Sequence, residues 1–208
     1  MVSKTLVGDA PATRDTDPSK VVATSFLVDP ATGASQEIAS PAWRPVVDPT
    51  DRRVAWWQGT FRWSAAEQSW TPDRGQIVIG DWSALQDGTV NSPEALPWSA
   101  PIVDGATWDV RWDPSGRRLA VWISDGPGEL SGRLSLFAVQ ADGSLGAAVV
   151  KQAAALAAFS LDAERLAWAT PPGKDGAGST LSVYAWTDNG DGNLRSAPNP
   201  DGSIVVAP

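Results

Sequence analysis

The sequence has no cysteine and no histidine, and it has one methionine and one tyrosine among 208 residues. The missing cysteine excludes disulfides, thiol chemistry and cysteine–histidine zinc sites, and the missing histidine excludes every imidazole acid–base mechanism. No apolar run is long enough to span a bilayer, and the N-terminal residues lack the apolar core of a signal peptide. These absences predict no transmembrane segment in this chain, which is then either a cytoplasmic protein or the soluble portion of an exported or membrane-anchored one.

Tryptophan and turn-forming residues are abundant instead. There are 12 tryptophans, 19 glycines and 17 prolines, and 42% of the residues are hydrophobic. This composition predicts a folded chain with many turns and few long helices. The formal net charge of −8 argues against nucleic acid as a partner, because an acidic surface repels phosphate. We interpret the charge as a contribution to solubility.

The second half of the chain repeats itself with a period of 47 residues. WDPSGRRLAVW begins at Trp112 and its counterpart FSLDAERLAWA begins at Phe159, and eight positions are identical in this register, Leu119 and Leu166 among them. Short strand-like runs at a fixed period are typical of architectures in which each repeat forms one small sheet. At residues 150–169 the alanine-rich sequence alone favours a helix, but the repeat predicts a strand, a turn and a second strand there.

The strand-like segments divide the chain into four repeats. We predict an N-terminal linker over residues 1–20 and a repeat domain over 21–208, with a half blade at 21–40 and four-stranded blades at about 41–93, 108–152 and 153–198. KTLV at 4–7 and SIVVAP at 203–208 are alternative strands that would complete the half blade. Eight extra residues in the second repeat are expected in or near 61–74, as a loop or an extended hairpin. The apolar segments QIVIGDW, RLSLFAV and TLSVYAW predict sheets that are covered on both faces.

Together these features resemble the TolB-like or WD40-like β-propeller repeat of bacterial extracytoplasmic proteins. The resemblance rests on the pattern aromatic–x–P–x–G–x–x–L–A at 112–120, with partial copies at 159–167 and at 43–55, where the turn is stretched. It implies an all-β fold: a small β-propeller, or propeller-like arc, of about four blades of antiparallel four-stranded sheets. A closed ring, an open arc that forms a homodimer, and a part of a longer protein all fit the pattern.

Three tryptophans are the candidate ligand- or partner-binding residues. Trp63 and Trp70 lie in the expected insertion, and Trp98 lies in SPEALPWSAP between two repeats. If exposed in rim loops, they would stack on sugar rings or anchor a partner protein. The alternative is that they cap the sheet edges and pack under the insertion. The tryptophans of the strands are predicted to pack in the core or between blades.

Asp109 is the candidate carboxylate, on the predicted inner strand TWDVRWDP. Alternation places Asp109 and Arg111 on one face, where they form either a structural ion pair or part of a carbohydrate-processing site. DNGDGN at 188–193 lacks the ligand spacing of a calcium loop and is interpreted as a hairpin turn. The sequence contains no recognisable catalytic, metal-binding or cofactor-binding motif, so we predict neither an enzyme nor a cofactor.

The resulting hypothesis is a non-enzymatic binding or sensor module of a bacterial extracytoplasmic protein, which contacts a ligand or partner protein through rim loops. The resemblance also implies attachment to a membrane anchor through the linker, as in some anti-sigma-factor-like regulators. The alternatives are a carbohydrate-binding or carbohydrate-processing propeller that uses rim tryptophans and inner-strand carboxylates, and a structural scaffold.

Overall fold

The computed structural model describes residues 1–39, 42–87, 89, 94–95, 106–127, 129–140, 145–153, 156, 158–172, 179–186 and 192–198. The chain divides into two compact units, Met1–Gly105 and Ala106–Pro208. Over the described residues the secondary structure consists of strands, one short α-helix and one 3₁₀ turn. The predicted all-β class is therefore confirmed.

The strands form four antiparallel sheets of four strands, named A to D in chain order, with two sheets in each unit. In sheets B, C and D each strand pairs with the next one along the chain, whereas the order in sheet A is β2-β1-β3-β4. Helix α1 (Trp82–Gln86) follows β7. The strands are, in sheet A, β1 (Val2–Val7), β2 (Ala10–Pro11), β3 (Val22–Val28) and β4 (Ser35–Ala39); in sheet B, β5 (Trp43–Val47), β6 (Arg53–Ser64), β7 (Ser69–Asp81) and β8 (Glu94–Ala95); in sheet C, β9 (Ala106–Trp112), β10 (Arg118–Pro127), β11 (Gly132–Val139) and β12 (Leu145–Ala153); and in sheet D, β13 (Ala158–Leu161), β14 (Arg165–Ala169), β15 (Thr180–Trp186) and β16 (Gly192–Pro198).

The N-terminal residues belong to sheet A and differ from the linker that we expected over residues 1–20. Strand β1 pairs with β3 from Val2↔Phe26 to Leu6↔Val22, so the segment KTLV extends the hairpin of β3 and β4. SIVVAP, the other candidate strand, lies outside the described residues. Gly8, at φ +58°, supplies the turn from β1 to β2. Only residues 12–21 connect the two halves of the sheet, and they include the 3₁₀ turn Pro18–Lys20.

The alanine-rich segment 150–169 contains strands, as the repeat predicted. Strand β12 ends at Ala153, and β13 and β14 pair in the antiparallel sense from Ala158↔Ala169 to Leu161↔Leu166. Phe159, Leu166 and Trp168 are buried in the hydrophobic core of the second unit. The burial of these three side chains outweighs the modest helix propensity of the alanines.

One aspartate closes the turn between the first two strands in each of sheets B, C and D. Its backbone N–H donates to the carbonyl of the residue that opens the next strand, and its carboxylate accepts the backbone N–H of that same residue, so the turn is closed from both directions. The three pairs are Asp48 with Arg53, Asp113 with Arg118, and Asp162 with Arg165, with carboxylate distances of 2.9, 2.8 and 2.8 Å.

These turns correct two details of the repeat. The turn at 48–53 has the same length as that at 113–118, so the stretched turn expected at 43–55 is wrong: the extra length lies in β5, where a bulge at Arg44 (φ +50°) sets Trp43 opposite Trp57. The turn at 162–165 is two residues shorter, so Phe159 faces Trp168 rather than Leu166. A shift of two keeps a side chain on the same face of a strand, which preserves the buried aromatic.

Each unit has its own core. Residues 77–79 of β7 and 134–137 of β11 are buried at every position, so these parts of the two strands are covered on both faces, as predicted. Leu181 on β15 is 36% exposed, so TLSVYAW is not covered on both sides. Arg118 of sheet C lies over the Trp186 ring of sheet D, 4.2 Å from its centroid. The first core consists of Ala42, Val54, Trp56, Val78 and Leu85, and the second of Ala120, Trp122, Leu134, Leu136, Leu156, Phe159, Leu166, Trp168 and Trp186.

A chain of hydrogen bonds joins sheet A to sheet B. The Ser25 hydroxyl, fully buried, donates to the Ala42 carbonyl at 2.9 Å and lies 2.7 Å from the Ser3 hydroxyl. Ser3 Oγ accepts the backbone N–H of Arg44 at 2.8 Å, at the bulge in β5. Strand β1 is thereby fixed to the strand that begins sheet B, which positions the N-terminal residues next to the candidate site.

Candidate functional site

The hairpin of β6 and β7 is longer than its counterpart in sheet C. Trp57 and its partner Ile77 are 20 positions apart in the chain, whereas Trp122 and Leu134 are 12 positions apart. The additional eight residues continue the ladder as far as Ser64↔Ser69. The insertion is therefore an extended hairpin, one of the two forms expected for it, and we call residues 60–74 the arm.

Close packing holds the base of the arm. Gly59 and Gly75 face each other across the two strands, and the Trp57 ring lies so close that a Cβ on either glycine would come within 2.8 Å of it. Phe61 packs edge-on against both Trp57 and Trp43, with ring centroids 5.0 and 5.4 Å away. Because Phe61 is only 4% exposed, this contact fixes the direction in which the arm leaves the sheet.

The two predicted tryptophans of the arm face each other and have different environments. Trp63 and Trp70 are cross-strand partners in T-shaped contact, with centroids 6.1 Å apart and planes at 76°. Trp63 is half-buried, whereas Trp70 is 4% exposed and its indole N–H donates to the Thr13 carbonyl at 2.9 Å. Trp70 thus packs, as the alternative had it, and Trp63 is the member of this pair that keeps exposed ring surface.

The other two predicted site residues do not join this pair. Trp98 lies outside the described residues. Asp109 lies on β9, where its carboxylate binds Arg111 through Nη2 at 3.0 Å and Nε at 3.2 Å, with both side chains nearly half exposed. The Arg111 guanidinium also lies over the Phe159 ring, 4.6 Å from its centroid. Asp109 and Arg111 therefore lie on one face of β9 and form an ion pair, as the alternation of the strand predicted.

A small cavity lies at the base of the arm. It has a volume of about 70 Å³ and is lined by the start of β3 and by Trp57, Gln58, Gly59 and Phe61. Pockets for cofactors or drug-sized ligands are typically several times larger, about 300–1,000 Å³. The cavity can take a few water molecules or one small side chain.

The carboxylates with perturbed pKa values serve turns. A hydrogen bond from the Ser19 backbone N–H lowers the pKa of Asp17, and one from the Thr32 hydroxyl lowers the pKa of Asp29. Asp81 caps α1, and hydrogen bonds from the Ser83 hydroxyl and the Ala84 N–H lower its pKa. Over the part of the chain that the structure describes, no group of three acidic side chains is placed to hold a metal ion. The helix found there is also too short and too polar to cross a membrane.

Comparison with models of known protein families and with characterised proteins found no match. The arm is therefore the feature on which a functional argument rests. The sequence pattern indicated its two tryptophans but neither Thr13, which binds the indole N–H of Trp70, nor Phe61, which packs at the base of the arm. The paired glycines of QGT and RGQ, at 58–60 and 74–76, were the available signal for Phe61 and the base of the arm; no local pattern linked residues 13 and 70.

Proposed function

We propose that this chain is a non-enzymatic binding or sensor module and that the arm carries the contact with its partner protein. The observation behind the proposal is a half-buried tryptophan, Trp63, on a hairpin that exceeds the repeat pattern and is fixed at its base by Phe61 and the Gly59–Gly75 pair. A large aromatic side chain on a preorganised element loses little conformational entropy on binding, which is why such residues dominate interface energies.

The arrangement of the sheets, the repeat pattern and the composition extend the proposal. Four sheets of four strands, three of them simple meanders, are compatible with a small β-propeller or propeller-like arc. The resemblance to TolB-like and WD40-like repeats supports a bacterial extracytoplasmic location and a membrane anchor elsewhere in the protein. The lack of histidine and cysteine supports a binding role over a catalytic one.

The test is capture of a partner from the native host with two matched variants. Trp63→Ser removes the exposed ring, and Leu27→Ser removes an apolar side chain that is 54% exposed on β3 of the same unit. We expect the wild type and Leu27→Ser to retain one partner that Trp63→Ser loses, with at least about a 30-fold weaker Kd, because a central interface tryptophan contributes about 2 kcal/mol or more.

Two controls complete the experiment. Trp63→Phe keeps an aromatic ring at the position and should retain part of the affinity. Urea unfolding of each variant checks that the first unit is folded. If partner capture is equal for the wild type and Trp63→Ser, the arm is not the binding surface.

A carbohydrate ligand is the second candidate, and it is favoured by the same half-buried ring of Trp63, since indole faces stack on sugars. Titration with oligosaccharides, followed by tryptophan fluorescence, distinguishes the two. A saturable change that is present in the wild type and absent in Trp63→Ser would support a glycan. If the chain processes carbohydrates, Asp109 is the candidate catalytic carboxylate. The variant Asp109→Asn would then impair turnover of the carbohydrate but not its binding.

A further inference from the structure

Residues 12–20, which we call the strap, lie against the arm. The 3₁₀ turn Pro18–Lys20 contacts β6, and the Thr13 carbonyl accepts the indole N–H of Trp70, 57 positions further along the chain. Ala12 donates to the Thr5 carbonyl at 3.0 Å, so the start of the strap is tied to β1. The strap therefore covers the N–H edge of the Trp70 ring, and Trp70 forms the aromatic pair of the arm with Trp63.

The composition of the strap is unlike that of a permanent structural element. Its sequence is ATRDTDPSK, and none of its residues is buried. A closed turn shapes it: the Thr16 N–H donates to the Thr13 carbonyl at 3.1 Å, and the Thr13 N–H donates to the Thr16 hydroxyl at 2.9 Å. With no buried apolar side chain of its own, the strap is held to Trp70 mainly by one hydrogen bond and surface contact, interactions that open at little cost.

We propose that the strap is a displaceable cover and that the arm binds its partner with Trp70 as well as Trp63 once the strap has lifted, an inference that rests on the proposed function of the arm. Displacement frees the indole N–H of Trp70 and its ring edge, directly across the hairpin from Trp63. The matching partner is a protein segment that supplies a backbone carbonyl or carboxylate in place of the Thr13 carbonyl. In the free protein the strap occupies this position as an internal competitor.

Hydrogen–deuterium exchange of the indole N–H groups tests the opening without a partner. In ¹⁵N-labelled protein the Trp70 indole signal is assigned by its loss in Trp70→Phe. The test variant Thr16→Ala removes the hydroxyl that closes the strap turn. The matched control Thr32→Ala removes a hydroxyl from another exposed turn of the same unit, where Thr32 donates to Asp29 at 2.7 Å. The backbone amides of Val54 and Ile77, two fully buried residues of paired strands, report global unfolding.

We expect the Trp70 indole to exchange faster than those core amides in the wild type, and about 2- to 10-fold faster again in Thr16→Ala, since an exposed hydrogen bond has a net worth of that order. Thr32→Ala should leave the rate unchanged. If the Trp70 indole exchanges only together with the core amides, or if Thr16→Ala has no effect, the displaceable strap is refuted while binding by the arm stands. A failure of the Trp63→Ser capture experiment instead removes the partner and leaves the measured opening intact.

Discussion

The aspartate turns allow the effect of burial on a carboxylate that closes a turn to be tested at two positions, although the turn at 162–165 is two residues shorter than that at 113–118. Asp113 and Asp162 occupy the same place in sheets C and D of one unit, and each carboxylate accepts two hydrogen bonds at 2.6–2.8 Å. They differ in environment: Asp113 is fully buried, whereas the Asp162 side chain is 52% exposed and pairs with Arg165 at 3.1 Å. The variants Asp113→Ala and Asp162→Ala thus remove similar bonds from different surroundings.

The expected losses follow from solvation. Asp113→Ala removes two charge-assisted hydrogen bonds, each worth about 1.5–3 kcal/mol, and the lost acceptor is a fully buried carboxylate that water replaces less readily than an exposed one, so we expect a loss of about 3–5 kcal/mol. In Asp162→Ala water replaces the carboxylate, and the exposed ion pair contributes little, so we expect about 1 kcal/mol. Asp113→Asn keeps one acceptor oxygen and should fall between them.

Urea unfolding followed by tryptophan fluorescence measures the difference. With an m-value of about 2 kcal/mol/M, the midpoint should fall by roughly 2 M in Asp113→Ala and by roughly 0.5 M in Asp162→Ala. Since both residues lie in the unit Ala106–Pro208, the same transition serves as the reference. Equal midpoint shifts for the two alanine variants would refute the claim that burial sets the strength of this turn.

Two further predictions concern the base of the arm and acid stability. In Gly75→Ala the new Cβ would lie 2.5 Å from the Gln58 carbonyl oxygen and from the Trp57 ring, so we expect urea unfolding to show a loss of stability of about 1–3 kcal/mol. In the control Gly126→Ala the nearest atom would be 3.7 Å from the new Cβ, so the stability should change little. Equal losses in the two variants would contradict the tight packing at Gly75. The folded pKa of Asp81 is below its unfolded value, so the stabilisation by this carboxylate is present above about pH 4 and is lost as the pH falls through the folded pKa. Asp81→Asn keeps a helix cap that does not titrate, so its urea midpoint should fall less than that of the wild type between pH 5 and about pH 2.5. Parallel curves for the two proteins would count against this assignment.

Much of the fold was accessible from periodicity. The 47-residue echo led to strands over 150–169 in spite of the alanines, and the count of eight extra residues led to the extended hairpin. The prediction was incomplete where the pattern was short or polar: residues 1–20 were expected to form an extension or linker, with KTLV as one of two possible closing strands, whereas residues 2–6 pair with β3. The hydrophobic pattern aligned Phe159 with Trp112. A turn that is shorter by two residues keeps the same face of the strand buried, so the pattern does not reveal the shift.

For the candidate site too, the sequence predicted some features and the tertiary structure decided others. A tryptophan pair in the insertion was visible in the sequence, but its environment was not, since indole rings serve equally well in cores and on binding surfaces. Comparison of the repeats determined most of the strands and the length of the arm, and the aspartate turns depend on neighbours a few residues apart. Tertiary structure alone decided that Trp70 is covered and Trp63 is half-buried: the Thr13 carbonyl that makes the difference is distant in the chain, and no local propensity encodes a contact over that separation.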